Sequence, residues 1–297
     1  MKSIVRKTSA RAKKFTCLAI LALFPAAAHL ADAPPPSAAS AGISDGDAHW
    51  ARRAEGAAGA LANPQEIDAA VAAYRAALAP DPELVEGRWK LLRALYFRGV
   101  YCGADSEARK KFFGDARKIG DDGIARLEKA IGHPNGTARA AALRKISGSG
   151  PLYFWTSACW GEWALAYGKF AAAREGAAGT IRDLAQTVID VEPGLEEGGG
   201  YRVLGRLHHQ SPKIPFVTGW VSRDEALSNF RKAHDIAPLN KTTQLFLAEA
   251  ILDYQPGKKD EAIQLLSKCA NDPPRAELLI EETHYAQAAK KKMTEVK

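Results

Sequence analysis

The sequence lacks any run of eighteen uncharged apolar residues, so no segment has the length of a membrane-spanning helix. It lacks any sustained alternation of apolar and polar residues, which argues against β-strands. It has no His-Glu-x-x-His, no paired Cys-x-x-Cys and no nucleophile elbow. No grouping of nucleophile, base and oxyanion stabiliser can be read along it, so neither catalysis nor a cofactor is expected. Acidic residues are missing from the first 28 positions, where Lys2, Arg6, Lys7, Arg11, Lys13 and Lys14 gather.

What is present is 46% hydrophobic residues in a chain of 297, enough for a real core and too apolar for a disordered or collagen-like chain. The formal net charge of +7 invites a nucleic-acid reading. The charge is local, however. Without the six basic residues at the front, 35 basic residues of the 41 face 34 acidic ones. The argument for nucleic acid goes with them. The front reads as a secretory signal over residues 1–28: a basic start, the apolar run Phe15 to Ala28 broken by Pro25, then small residues. Cys17 lacks the Leu-small-small context of lipoprotein processing. Export to the periplasm or beyond is therefore expected, with no membrane span once the signal is cleaved.

Residues 29–48 are rich in Pro, Ala, Ser and Gly and read as a flexible leader. Residues 49–293 are helical in composition. Ala70, Tyr74, Ala77 and Pro82 stand at offsets 0, 4, 7 and 12, as do Ala226, Phe230, Ala233 and Pro238. Ala262, Leu266, Cys269 and Pro274 repeat the same offsets. A small residue admits a neighbouring helix, a large one fills the groove a turn later, and Pro follows the helix. This resembles the second helix of the tetratricopeptide repeat. Tyr201, Leu204 and Gly205 supply the first-helix counterpart. The expected fold is all-α, an α-solenoid of antiparallel helix pairs. The middle, 105–195, carries only half-matches at Leu127 and at Ile181 and Val188.

The stretches PLYFWTSACWGEWALAYG, GGGYRVLGRLHHQSP, PFVTGW and RDEALSNFRKAHDIAP resemble the T-component proteins of TRAP transporters. The resemblance covers roughly residues 60–290. It implies a non-enzymatic exported scaffold that docks the periplasmic solute-binding protein of a tripartite transporter, or another envelope protein. Assembly of several copies is compatible with it.

Several residues stand out as contact candidates. Tyr153, Trp160, Trp163, Tyr167 and Phe170 fall on one helical face, with Trp155 on an adjoining one. Such a face is either core or the lining of a groove for a partner or an amphipathic small ligand. Arg202 and Arg206 share a face and suit a carboxylate or phosphate, or a solvated surface. Phe216 and Trp220, in the loop SPKIPFVTGW, are expected partner anchors. Gly198-Gly199-Gly200 lacks the context of a phosphate loop, and the adjacent His208 and His209 diverge too far to chelate one metal. A Cys102–Cys159 bridge would staple two neighbouring hairpins, although sequence leaves connectivity open.

Overall fold

A computed structural model describes residues 37–215 and 217–296. The expected signal segment and Phe216 lie outside the described residues. Thirteen α-helices and no strand occur among the described residues. They are α1 (Ala38–Ala51), α2 (Pro64–Leu78), α3 (Val85–Tyr101), α4 (Ser106–Ile131), α5 (Gly136–Leu143), α6 (Ser149–Tyr167) and α7 (Lys169–Arg174). Then follow α8 (Ala177–Val191), α9 (Leu195–Gln210), α10 (Arg223–Ile236), α11 (Lys241–Tyr254), α12 (Lys259–Asn271) and α13 (Leu279–Val296). None of them is long and apolar enough to cross a membrane.

Local chemistry sets many boundaries. Asn63, Asp105, Ser222 and Asn240 each accept a backbone N–H of the helix they precede. Pro64 occupies the first turn of α2, where its missing N–H costs nothing. Gly132 ends α4 in a left-handed conformation, which closes off the last carbonyls.

The helices pair as α1–α2, α3–α4, α6–α8, α9–α10 and α11–α12, with α13 packed on α12. The repeat residues read from the sequence are the ones that interlock. Ala70, Tyr74 and Ala77, then Ala226, Phe230 and Ala233, then Ala262, Leu266 and Cys269, are all fully buried. Gly205 of α9 faces Phe230, and a Cβ there would stand 2.6 Å from the ring. Gly46 of α1 faces the Tyr74 ring in the same way. The weak middle repeats are true hairpins, padded by the short helices α5 and α7.

One boundary requires correction. Residues 38–48, expected to belong to a flexible leader, form most of α1, which packs along α2. Ala, Ser and Gly look like linker because they carry little apolar area. Here their smallness lets Gly42 and Gly46 approach Ala77 and Tyr74.

The proposed cystine also requires correction: Cys102 and Cys159 are both free. The Cys159 thiol donates to Leu92 O (3.7 Å), and that of Cys102 to Phe97 O (3.9 Å). Leu92 and Cys102 are ten residues apart on one helix, roughly 15 Å at 1.5 Å per residue, far beyond disulfide reach. Burial raises all three described thiols, Cys102 to about 11 and Cys269 to about 12. We expect Cys102, Cys159 and Cys269 to resist a thiol reagent at pH 8 in the native protein and to react once urea is added. Rapid native labelling of any of them, located by mass spectrometry, would contradict this packing.

Candidate binding face

Each pair after the first supplies one inner helix, and α13 adds another. The inner helices neighbour one another in the order α3, α6, α9, α11 and α13, and α13 returns to α3. Their half-buried residues recur at helical spacing, so each presents a stripe to a shared interior. On α3 the stripe is Trp89, Arg93, Tyr96 and Val100. On α6 it is Trp155, Ala158 and Glu162. On α9 it is Arg202, Arg206 and His209; on α11, Thr242, Phe246 and Glu249; on α13, Glu281 and Tyr285.

The stripes touch. Tyr96 meets Trp155 edge-on at 5.5 Å. The Arg206 guanidinium lies 4.1 Å over Phe246 and pairs with Glu249 at 2.6 Å. Phe246 meets Tyr285 edge-on at 5.9 Å, and Tyr101 meets His284 at 5.3 Å. Arg109 of α4 reaches Glu162 at 2.8 Å. At one end, Arg53 pairs with Glu281 at 2.9 Å and lies 4.4 Å over Trp50. A second guanidinium, that of Arg93, lies 3.9 Å from the same ring centre.

This interior is electrostatically unusual. Burial pushes the Tyr96, Tyr101 and Tyr285 phenols up. Burial also raises Glu162, against the opposing pull of Arg109, and raises Glu196, against that of Arg202 and Arg93. Burial lowers Arg202 despite the nearby Glu196. Arg202 donates to the carbonyls of Glu196 (2.9 Å) and Glu197 (3.2 Å) and has no carboxylate partner among the described residues. Those carbonyls belong to a turn with φ of +49° at Glu196 and +57° at Glu197, a conformation costly for non-glycine residues.

The expected aromatic face of α6 divides. Trp160 and Trp163 are buried against α4, where Arg117 lies 4.6 Å and 4.4 Å over their rings. Trp160 Nε1 donates to Asp121 at 2.7 Å. These two are core and line no groove. Tyr167 stacks on Trp163 and is partly exposed, and Phe170 on α7 is almost fully exposed. Trp155 alone of the three tryptophans faces the inner stripe. Arg202 and Arg206 both reach that interior, as their shared face predicts. Sequence reasoning passed over Trp50, Arg93, Tyr96 and Tyr285. The spacing Trp89, Arg93, Tyr96 was a readable signal, but its charged member made it resemble a solvated face.

The loop between α9 and α10 is pinned at its base. Thr218 Oγ1 donates to Pro212 O and accepts from Ile214 N, and Ser222 N donates to His208 Nδ1 (3.1 Å). Trp220 packs on His208 at 5.2 Å and beneath Arg182 at 4.8 Å. Trp220 is therefore an anchor of the loop onto its own protein. Ile214 and Val217 are the loop's exposed apolar residues among those described. A polar cleft of about 300 Å³ opens beside it, lined by Arg182, Tyr201, His208 and Glu225 among others. No cluster of metal-ligating side chains occurs among the described residues.

No family model matches this chain. No curated protein matches it either. Among solved structures, the crystal structure of the yeast Tom70 matches at 16% identity and a TM-score of 0.27. The match covers 89% of this chain and 66% of that one, just under two thirds of its length.

Proposed function

We propose that this chain is an exported, non-enzymatic helical-repeat scaffold that docks an envelope protein. The resemblance to TRAP T-components favours a periplasmic solute-binding protein as that partner. The observation that supports docking is the 211–222 loop. It interrupts an otherwise tight hairpin, is held rigid at its base, and turns Ile214 and Val217 outward. Apolar side chains on a preorganised loop gain affinity because little ordering entropy is lost on binding. The test is capture from an envelope extract with immobilised protein, followed by mass spectrometry. A solute-binding protein is the expected catch, and Ile214→Asp with Val217→Asp is expected to reduce it at least tenfold at unchanged helicity. Undiminished capture by the double variant would remove the loop from the interface.

A second reading is a carrier for a small amphipathic molecule. It is favoured by the inner stripe, which sets aromatic rings and charged groups from five successive inner helices around one interior. Aromatic side chains with a few placed polar groups are the usual lining of small-molecule sites.

A further inference from the structure

The cleft of about 300 Å³ beside the 211–222 loop holds charges that do not neutralise one another. Helix α9 lies between α8 and α10, and all three line the cleft. One end holds Arg182, His208 and Glu225; both charged groups act on the His208 ring, in opposite directions. The other end holds Lys232, whose Nζ lies 5.7 Å from the Tyr201 ring centre. Arg182 and Glu225 share an end of the cleft and yet form no ion pair with each other. Arg182 Nε donates to its neighbour Asp183 (2.9 Å), and its two terminal nitrogens have no partner among the described residues. The Glu225 carboxylate accepts from the Asn229 amide (3.3 Å) and meets no cation within 4 Å among the described residues. Lys232 meets no carboxylate within that distance among them either.

Two buried side chains add open hydrogen-bonding atoms to the same cleft. His208 is 8% exposed and Asn229 is 5% exposed. Ser222 N donates to His208 Nδ1, which fixes that nitrogen as an acceptor and places the ring proton on Nε2. Burial lowers His208, so the ring is neutral at pH 7 and Nε2 is a donor. Asn229 Nδ2 donates to Glu225 O (2.8 Å), which leaves Oδ1 as an acceptor. Neither Nε2 nor Oδ1 has a partner among the described residues, and neither is sealed from solvent. Open donors beside open acceptors select among ligands. A simple anion would satisfy Arg182 and Nε2 but set its lone pairs against Glu225 and Oδ1. A simple cation would reverse that conflict. A molecule with a carboxylate and an ammonium group on one carbon meets all four.

We infer that this cleft binds an α-amino acid, with its carboxylate on Arg182 and His208 Nε2 and its ammonium group on Glu225 and Asn229 Oδ1. Leu204 and Ile189 line the space towards Lys232. Lys232 stands seven residues beyond Glu225, about 10 Å along α10 at 1.5 Å per residue, and its flexible stem reaches back into the cleft. A ligand side chain lying that way ends at a free ammonium group, so an acidic one is preferred. The site is formed by other residues than the inner stripes and the docking loop, and it goes beyond both readings above. His208 and Asn229 are the poorer residues to vary, because each also holds a backbone group. Glu225 and Lys232 are exposed and join no ion pair among the described residues.

The test is calorimetry of the whole mature protein at pH 7 with L-glutamate, N-acetyl-L-glutamate and L-glutamine. Glutamate is expected to bind at least tenfold more tightly than its N-acetyl form, which lacks the ammonium group, and several-fold more tightly than glutamine. Glu225→Gln is expected to remove most of the first preference, and Lys232→Gln most of the second. Circular dichroism verifies that the variants fold. Trp220 lies 5.2 Å from the His208 ring and 4.8 Å from the Arg182 guanidinium, so tryptophan emission is expected to change on binding. No binding of glutamate at millimolar concentration would overturn the site. Equal binding of glutamate and its N-acetyl form would overturn the ammonium contact and with it the amino-acid assignment. Tighter binding of glucose than of glutamate would mark a polyol site and overturn that assignment as well. An unchanged preference in Glu225→Gln would overturn the assignment to this cleft.

Discussion

Replacing Phe230 by Ala is expected to destabilise the protein by about 3–5 kcal/mol, the range for emptying a fully buried aromatic site. Phe230 is entirely enclosed and fills the notch that Gly205 leaves on the facing helix. Its ring also stands 6.1 Å from Phe246 and 6.2 Å from His209, so one side chain joins α9, α10 and α11. A solenoid distributes stability between neighbouring repeats. The loss is therefore expected to concentrate there, with hydrogen exchange accelerated in α9–α11 and nearly unchanged in α2–α4. Urea unfolding gives the total and exchange mass spectrometry gives its location. A loss below about 1 kcal/mol, small beside ordinary core truncations, would mean that the notch is not tightly filled. Gly205→Ala alone places a methyl group 2.6 Å from the ring. Combined with Phe230→Leu it is expected to cost less than the sum of the two single changes, because the two sites share one space.

The second large effect is expected at Arg275. Its backbone N–H and its Nε both donate to the Glu282 carboxylate at 2.7 Å, and its remaining N–H groups hold Glu197. Glu282 is buried. Arg275→Ala leaves that carboxylate with a single backbone donor, and breaking one side of a buried pair costs about 3 kcal/mol. It also strips Glu197 of its guanidinium, leaving the Asn240 amide as the donor to that carboxylate, and so loosens the left-handed turn that opens α9 and positions Arg202. Faster exchange at residues 194–202 and along α13 is the expected result. Normal exchange there would show that the turn is held by something else.

The same pair sets a pH dependence. The Arg275 hydrogen bond holds Glu197 below its ordinary value, against the opposing effect of burial. A depressed carboxylate contributes stability that is present above its unfolded value of about 4.3 and lost as pH falls through the lower folded value. Glu162 and Glu196 have the opposite sign. Burial raises both, so their charged forms oppose folding near neutrality, and protonation on acidification removes that opposition. The share of stability that Glu197 supplies and that acid removes should therefore depend on Arg275 and shrink in the pH profile of Arg275→Ala.

Much of this molecule is legible in the order of its residues. The offsets of Ala70, Tyr74 and Ala77, repeated at Ala226 and Ala262, identified the outer helices because each position has one steric duty. A small side chain admits a helix and a large one fills the space it leaves. The pairing of Arg202 with Arg206 on one face was equally plain, since helical spacing alone decides it. Helix α1 escaped because Gly42 and Gly46 act through what they lack. A missing Cβ has no meaning until the Tyr74 ring is seen against it.

The division runs along a physical line. Local spacing determined which residues share a helix face, because that depends only on backbone period. Which of those faces met each other was decided by the fold, since contacts between α3, α6, α9, α11 and α13 join residues far apart in sequence. Trp160 and Trp163 became core because α4 lies over them, and Trp155 became lining because its face points inward. Cys102 and Cys159 stayed apart because ten residues of rigid α3 lie between their positions. Arg93 acquired part of its surroundings the same way: Trp89 lies one turn away on its own helix, but Trp50, 3.9 Å from the guanidinium, was brought there by the packing of α1.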